Sequence, residues 1–210
     1  MEEGDFMPGV YVVTDSSSDL TTGEVATLEV EIVPLTVRIG DEEFVDGRDL
    51  TVEEFYRRMA ASDVLPQTSC PSPGAFEEAF RRAADAGADA VVCITISSDL
   101  SNTLQSAQTA AVGFGTRLPV RVIDSKSVSS GLGTLVLEAG AAARAGAALE
   151  AVVSSVEAMI TRTHVFATLN TLENLKKGGR IGGAKAMVGS MLSIKPLIDI
   201  TGGVVREAGK

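Results

Sequence analysis

Tryptophan is absent from the chain, and aromatic residues make up only 4% of its 210 residues. Hydrophobic residues nevertheless account for 45% of the sequence. The core must therefore consist mainly of valine, isoleucine, leucine and alanine, which is typical of buried parallel sheets and the helices that cover them. The length is sufficient for one large domain or two smaller lobes.

Cysteine is almost as rare, since only Cys70 and Cys93 are present. Two cysteines are too few for a disulfide-based fold, and their spacing does not match a metal site. Cys93 lies inside the apolar run VVCITI, where we expect a small buried hydrophobic side chain. This cysteine usage favours a reducing compartment, and we predict a cytoplasmic protein.

Positive charge is in deficit, because 18 lysine and arginine residues stand against 28 aspartate and glutamate residues, for a formal net charge of -10. Such a chain is a poor electrostatic match for nucleic acid, and we expect only transient contact with membranes. The opening residues MEEGDFMPG are acidic and lack an apolar stretch, so we expect no signal peptide. An anionic ligand would require a local site that overrides the overall charge.

Short apolar runs rich in β-branched residues predict four buried strands, at residues 10–14, 90–96, 120–123 and 165–169. Helical patterns separate these runs, and this alternation predicts an α/β fold with a parallel, doubly wound sheet. A fifth run, 31–39, contains Pro34. Proline cannot donate to a strand ladder, so we place this run at a sheet edge or across a bend.

Several helix starts are also visible in the sequence. Thr51 and Glu54 have the spacing of a capping box and predict a helix to about residue 61. Ser72 and Pro73 are suited to the N-cap and first position of the next helix. The segment 131–148 is nearly all alanine, leucine, valine and glycine, so we expect its helix to pack closely against a neighbour.

The composition changes after residue 169. Glycine and lysine cluster in LKKGGRIGGAKA, and residues 193–206 resemble two strands joined at Gly202 and Gly203. A two-stranded hairpin is marginally stable alone. We therefore predict an N-terminal doubly wound α/β lobe at 1–161 and the start of a second, α+β lobe at 162–210, which we expect to be incomplete.

Hydroxyl-rich turns follow three of the predicted strands. The turns are DSSSD (15–19), SSD (97–99) and DSKS (124–127). In open α/β sheets, ligands bind beyond the carboxyl ends of the strands. Hydroxyls and helix N-terminal amides at such an edge can bind a small anion. Each turn alone is equally explained as a helix cap, but the three together favour a ligand role. Our candidates from these turns are Asp15, Ser16, Ser97 and Ser98.

The loop QTSCPSP (67–73) is a further candidate. Its two prolines hold the backbone extended and would present the hydroxyls of Thr68 and Ser69 in a fixed direction. By itself, this loop is better explained as a rigid entry to the following helix.

Arg180 lies in the only locally basic stretch, KKGGR (176–180). Its planar guanidinium can bind a carboxylate or a phosphate. The spacing fits a solvated helix end equally well, because cations and glycine are both common there.

Known catalytic motifs such as G-x-S-x-G, H-E-x-x-H and Walker A are absent. A serine-dependent phosphotransferase or hydrolase that uses Ser98 is one alternative function, but it needs a base, and His164 is the only histidine. A metal-dependent adhesion-like module is another alternative. Its D-x-S-x-S pattern is nearly matched at Asp15, Ser17 and Asp19, where Asp19 replaces the last serine.

Taken in order, a set of motifs resembles the DegV family of bacterial fatty-acid-binding proteins over nearly the whole chain. The motifs are VTDSSSDL (13–20), VPL (33–35), QTSCPS (67–72), ISSDLSNT (96–103), DS (124–125), and LKKGGRI (175–181) followed by LSIKP (192–196).

The resemblance implies two lobes with a long-chain fatty acid, such as palmitate, buried between them. It implies that hydroxyls of Thr68 and Ser98 hold the carboxylate, with Ser69 and Ser97 as neighbours. Some members present the bound acid to a separate fatty acid kinase, and the resemblance links Arg180 to that step or to partner contact. The protein would then be a carrier with no enzyme activity, metal or cofactor of its own.

Two features differ from the family pattern. Asn102 stands where the family usually has glycine, and asparagine tolerates the left-handed region. The second lobe of the family also continues well past Lys210 and supplies a histidine near the carboxylate, for which this sequence has no counterpart.

Overall fold

The computed structural model describes residues 9–187 and 195–209. Most strands in these residues are formed by short runs that contain apolar or β-branched residues. The strands are β1 (Val10–Asp15), β2 (Glu31–Val33), β3 (Thr36–Ile39), β4 (Glu42–Val45), β5 (Gln67–Ser69), β6 (Ala90–Thr95), β7 (Val120–Asp124), β8 (Phe166–Thr168), β9 (Leu197–Thr201) and β10 (Val204–Gly209).

The helices alternate with the strands in the first part of the chain. They are α1 (Thr22–Leu28), α2 (Val52–Ala60), α3 (Pro73–Asp85), α4 (Thr103–Phe114), α5 (Ser130–Arg144), α6 (Leu149–Ile160) and α7 (Glu173–Lys177). Short 3-10 helices follow β1, at Ser16–Ser18, and α7, at Gly182–Met187. No helix within the described ranges is long and apolar enough to cross a membrane.

The central sheet is parallel and has the order β2-β1-β6-β7, which confirms the predicted doubly wound α/β architecture. Successive side chains of β6 point to opposite faces of this sheet. Val91 and Cys93 pack in the cluster covered by α3 and α4. Val92 and Ile94 pack in the cluster covered by α5 and α6. Cys93 is fully buried, as expected from its apolar run.

Helix α5 packs closely against the first strand-end turn, as the small residues of 131–148 predict. A Cβ atom on Gly133 would lie 2.6 Å from the carbonyl oxygen of Ser18. Real Cβ atoms do not approach backbone oxygen so closely, and only glycine fits there. The helix therefore lies directly against the turn that follows β1.

The prediction of a buried strand at 165–169 was wrong. This segment contains β8, which pairs antiparallel with β9 in a separate sheet of order β10-β9-β8. Only one face of that sheet is covered, because Val165 and Ala167 pack against the apolar cluster that contains Ile198 and Val205, while Phe166 is 63% exposed. The alternation of faces along a strand is not visible in a short, uniformly apolar run.

Pro34 lies between two strands that belong to different sheets. Strand β2 forms the edge of the parallel sheet, and β3 enters an antiparallel sheet of order β4-β3-β5. The predicted edge and bend are therefore both present. The segment Gln67–Ser69, which we expected to be a loop, is instead strand β5 of this smaller sheet, where Thr68 pairs with Val37.

The predicted caps are largely confirmed. Ser72 accepts a hydrogen bond from the backbone of Ala75, and Pro73 begins α3. Thr51 likewise accepts from the backbone N–H of Glu54 at 3.2 Å. The reciprocal bond of a capping box is not described there, because the Glu54 carboxylate binds arginines of the same helix. A complete capping box instead opens α1, a helix that the sequence analysis did not predict.

The second part of the chain packs against the first. Its apolar cluster contains Leu172, Ile181, Ala184, Ile198, Ile200 and Val205. Leu100 and Val128 pack against this cluster and also against the cluster under α5 and α6. The predicted hairpin is confirmed, because Gly202 and Gly203 join β9 to β10, although residues 193 and 194 lie outside the described ranges. The lobe boundary at 161/162 stays a prediction.

Candidate functional site

The three hydroxyl-rich turns meet at one edge of the parallel sheet, as predicted. Their strands, β1, β6 and β7, are adjacent and run in the same direction, so their carboxyl ends lie side by side. Backbone bonds join the turns directly. Ser97 N–H donates to the carbonyl of Ser127 at 2.9 Å, and Ser129 N–H donates to that of Ser17 at 2.9 Å.

Asp15 supports this edge from inside the protein. Its side chain is completely buried and accepts hydrogen bonds from the backbone N–H groups of Ser17, at 3.1 Å, and Ile96, at 2.8 Å. Burial raises the pKa of the Asp15 carboxyl, and the bonds from Ser17 and Ile96 only partly offset this effect. Asp15 therefore ties the turn after β1 to the end of β6, and its contact with a ligand stays a prediction.

Ser16 faces a different region from the other serines. Its hydroxyl donates to Asp46 at 2.7 Å and accepts from the backbone N–H of Leu35 at 3.1 Å. It lines a cleft of about 740 Å³ together with residues of α1 and α2. No described contact joins Ser16 to Ser97 or Ser98, so the structure does not bring these predicted site residues together.

Ser97 joins the two parts of the chain. Its buried hydroxyl donates to the carbonyl oxygen of Gly203 at 2.9 Å, and its oxygen accepts from the backbone N–H of Asp99 at 3.2 Å. Gly203 has a φ of 91°, and a Cβ there would lie 3.0 Å from Lys126 Cδ and 3.1 Å from Asp99 Oδ2. The turn of the β9–β10 hairpin is thus seated directly on the turn after β6.

Ser98 is exposed and lies beside the charged residues Asp99, Asp124 and Lys126. We call these four residues the Lys126 network. The Ser98 hydroxyl donates to the Asp124 carboxylate and accepts from Lys126 Nζ at 3.1 Å. Lys126 also pairs with Asp99 at 3.1 Å and with Asp124 at 3.0 Å. Lys126 was not among the predicted site residues, although the DSKS turn that contains it was.

Both charged partners of Ser98 are held in their ionised forms. Burial raises the pKa of Asp124, but hydrogen bonds from Ser98 and Lys126 outweigh it and lower the pKa overall. The hydrogen bond to Asp124 raises the pKa of Lys126, and Asp99 adds to that effect. A protonated lysine is not a general base, so the base among the described contacts of Ser98 is the Asp124 carboxylate.

His164, the base invoked for a catalytic Ser98, lies elsewhere. Its Nδ1 is 3.2 Å from the hydroxyl oxygen of Thr201, and its ring stacks on Phe166 with centroids 6.5 Å apart. No described contact joins His164 to Ser98. The geometry therefore offers no serine–histidine pair to the alternative hydrolase function.

Thr68 and Ser69 lie on the exposed edge strand β5. Neither side chain is hydrogen-bonded to another residue of the described ranges, so both hydroxyls are available to a ligand. The next residue, Cys70, has its sulfur 3.9 Å from the hydroxyl of Ser106 on α4. The strand therefore ends beside the helix that follows the Ser98 turn.

Arg180 reaches from the second part of the chain to the Ser98 turn. Its Nε donates to the carbonyl of Leu100 at 3.1 Å, and Nη1 donates to that of Gly178 at 2.7 Å. Gly178 caps α7, whose last turn carries Lys176 and Lys177. The two interpretations of this basic stretch are therefore compatible, since it is a helix end that also contacts the candidate site.

Metal-binding geometry does not occur in the described part of the chain, where no three His, Cys, Asp or Glu side chains are grouped to hold an ion. Asp19, part of the adhesion-like pattern, instead accepts a hydrogen bond from the hydroxyl of Ser129. The first turn is thus stabilised by hydrogen bonds within the protein.

These features define an α/β protein with a polar site at the carboxyl edge of its parallel sheet, where the β9–β10 hairpin packs. The chain belongs to the DegV family, because the model of that family, described as uncharacterised protein, matches residues 9–210.

Individual relatives agree with this assignment. A DegV domain-containing protein of Deinococcus radiodurans is 39% identical over 201 residues, covering 96% of this chain and 70% of the relative. A DegV family protein from Thermus thermophilus, for which fatty acid binding is described, has a TM-score of 0.88 and 38% sequence identity. The match covers 96% of this chain and 71% of that one. A stearic-acid-binding protein from Eubacterium ventriosum has a TM-score of 0.87 and 31% identity, covering 95% and 70%.

Proposed function

We propose that this chain binds a long-chain fatty acid such as palmitate, with the carboxylate near Ser98 and Thr68 and the acyl chain between the two lobes. The observation that carries the proposal is the exposed Ser98 hydroxyl, which lies at the carboxyl edge of the parallel sheet beside the docked hairpin. The fatty acid and stearic acid bound by the Thermus and Eubacterium neighbours support the same ligand class.

The apolar side of the proposed site is provided by the apolar cluster of the second part of the chain, which contains Leu172, Ile198 and Val205. Leu100 follows the Ser98 turn, and with Val128 it packs on this cluster. Burial of each methylene contributes about 0.8 kcal/mol, so roughly a dozen buried methylenes give on the order of 10 kcal/mol before ordering costs. The carboxylate cannot enter such a site without hydrogen-bond partners, which the hydroxyls would provide.

The proposed role is that of a carrier that presents the acid to a separate fatty acid kinase, and not that of an enzyme. Support comes from the Thermus and Eubacterium neighbours, which are described by fatty acid binding, and from the absence of a described contact between Ser98 and His164. Arg180 lies at the same turn and would be placed to contact such a partner or the transferred group. The free thiols of Cys70 and Cys93 agree with the cytoplasmic location that we propose.

The test is mass spectrometry of an organic extract from the purified protein. We expect long-chain acids such as palmitate or stearate in near-stoichiometric amount. Ser98→Ala and Thr68→Val should reduce the recovered acid, whereas Ser154→Ala, on the exposed face of α6, should not. An extract without any long-chain acid, from a protein that also fails to bind added palmitate, would contradict the proposal.

A further inference from the structure

Lys126 is fixed at its backbone but reachable at its side chain. The residue has a φ of 48°, and its N–H donates to Asp124 Oδ1 at 3.0 Å, so the turn after β7 sets its position. The side chain is 39% exposed and places Nζ 3.1 Å from the Ser98 hydroxyl oxygen. A ligand that reaches Ser98 therefore comes within range of this ammonium group.

The charges around Ser98 would otherwise oppose an anionic ligand. The Lys126 network contains the carboxylates of Asp99 and Asp124 and the single ammonium group of Lys126. Like charges at such separations repel strongly outside bulk water. Without Lys126, a fatty acid carboxylate would approach two negative charges with only hydroxyl and amide donors to offset them.

We propose that Lys126 makes this site selective for a carboxylate over an uncharged head group on the same acyl chain. The ligand's carboxylate replaces Asp124 as acceptor of the Ser98 hydroxyl, and Lys126 turns from Asp99 toward the ligand. The flexible four-carbon stem of lysine allows this movement. The inference rests on the proposed function, since it assigns the head-group specificity of the same site.

The experiment compares palmitate with hexadecanol, which has the same chain length and no charge. Lys126→Met should weaken palmitate binding about tenfold or more, as expected for a lost charged hydrogen bond, and change hexadecanol binding less than about twofold. Lys126→Arg, which keeps the charge, should recover most of the palmitate affinity. Arg81→Met is the matched control, because it removes one positive charge from the exposed face of α3, where Arg81 pairs with Asp85.

A second variant covers the case in which Lys126→Met does not fold. Asp99→Asn removes a carboxylate that competes for Lys126, so it should strengthen palmitate binding severalfold and leave hexadecanol binding unchanged. Equal loss of both ligands in Lys126→Met, or unchanged palmitate binding in that variant and in Asp99→Asn, would overturn the assignment. If the unmodified protein bound neither ligand, the proposed function itself would fail, which is a distinguishable result.

Discussion

The hydroxyl of Ser97 donates a hydrogen bond of 2.9 Å to the carbonyl oxygen of Gly203, and this bond joins residues 106 positions apart in the chain. One partner belongs to the turn after β6 and the other to the β9–β10 hairpin. The resemblance gave Ser97 a role beside the carboxylate. Its geometry adds a structural role, since the same side chain holds the β9–β10 hairpin against the turn after β6.

Replacement of Ser97 by alanine should therefore lower the free energy of unfolding by about 1–3 kcal/mol, because it leaves a buried carbonyl without its donor. Urea denaturation followed by circular dichroism measures this change. Ser154→Ala, on the exposed face of α6, is the control and should have little effect. Equal stability of the two variants would show that the bond contributes nothing to the docking of the hairpin.

Gly203 and the adjacent Gly202 offer a matched comparison at the hairpin turn. Both have positive φ, 91° and 68°, but a Cβ on Gly202 would meet only Arg206 Nη2, at 3.9 Å. Gly202→Ala should cost about 1 kcal/mol for its backbone conformation. Gly203→Ala should cost clearly more, because its Cβ would also displace Ser97, Lys126 and Asp99.

Thermal melting of the two glycine variants tests this difference. The Gly203 variant should also lose fatty acid affinity, since the displaced side chains include the Lys126 network, whereas Gly202→Ala should retain it. Similar melting temperatures for the two variants would contradict the close seating of the hairpin turn.

Tyr11 provides a test of the electrostatics at the outer edge of the parallel sheet. Its hydroxyl donates to Glu31 Oε2 at 3.1 Å. Burial, followed by the charge of Glu31, raises the pKa of Tyr11 from 10.0 to about 12. Because the folded protein holds this proton more tightly than the unfolded chain, the resulting stability is complete below pH 10.0 and is lost as the pH rises toward about 12.

Ultraviolet titration of phenolate absorbance in a Tyr56→Phe background, where Tyr11 is the only tyrosine, measures this pKa directly. Glu31→Gln in the same background should lower the Tyr11 pKa but leave it above its ordinary value, since burial remains. A titration midpoint near 10.0 in the parent protein would show that Tyr11 is neither buried nor paired as described.

The parallel sheet was predictable because its signals are local. The runs that form β1, β6 and β7 are short, β-branched and bounded by polar turns, and the serine and proline before α3 match the preferences of a helix start. The meeting of three turns at one edge then followed from the geometry of parallel strands. For this reason the sequence alone places Ser97 and Ser98 at this edge.

The remaining features depend on contacts between distant residues. Strand β5 exists because residues 67–69 pair with β3, a partner about 30 positions earlier, which no local pattern indicates. Lys126 belongs to the site because its side chain turns toward Ser98, 28 positions away. Arg180 contacts Leu100 across 80 positions. Side-chain direction in such cases is set by packing, which the sequence alone does not specify.

Leu100 and Val128 pack on two apolar clusters at once, one beneath α5 and α6 and one formed by the second part of the chain. Separation of the two clusters would expose both side chains to water and take apolar contacts from each cluster. The cost of such an opening rises with the apolar area exposed, at about 25 cal/mol per Å². If the proposed function holds, entry of a long acyl chain would be coupled to a transient loss of this shared core, and the acyl chain would cover the apolar surface exposed in that opening.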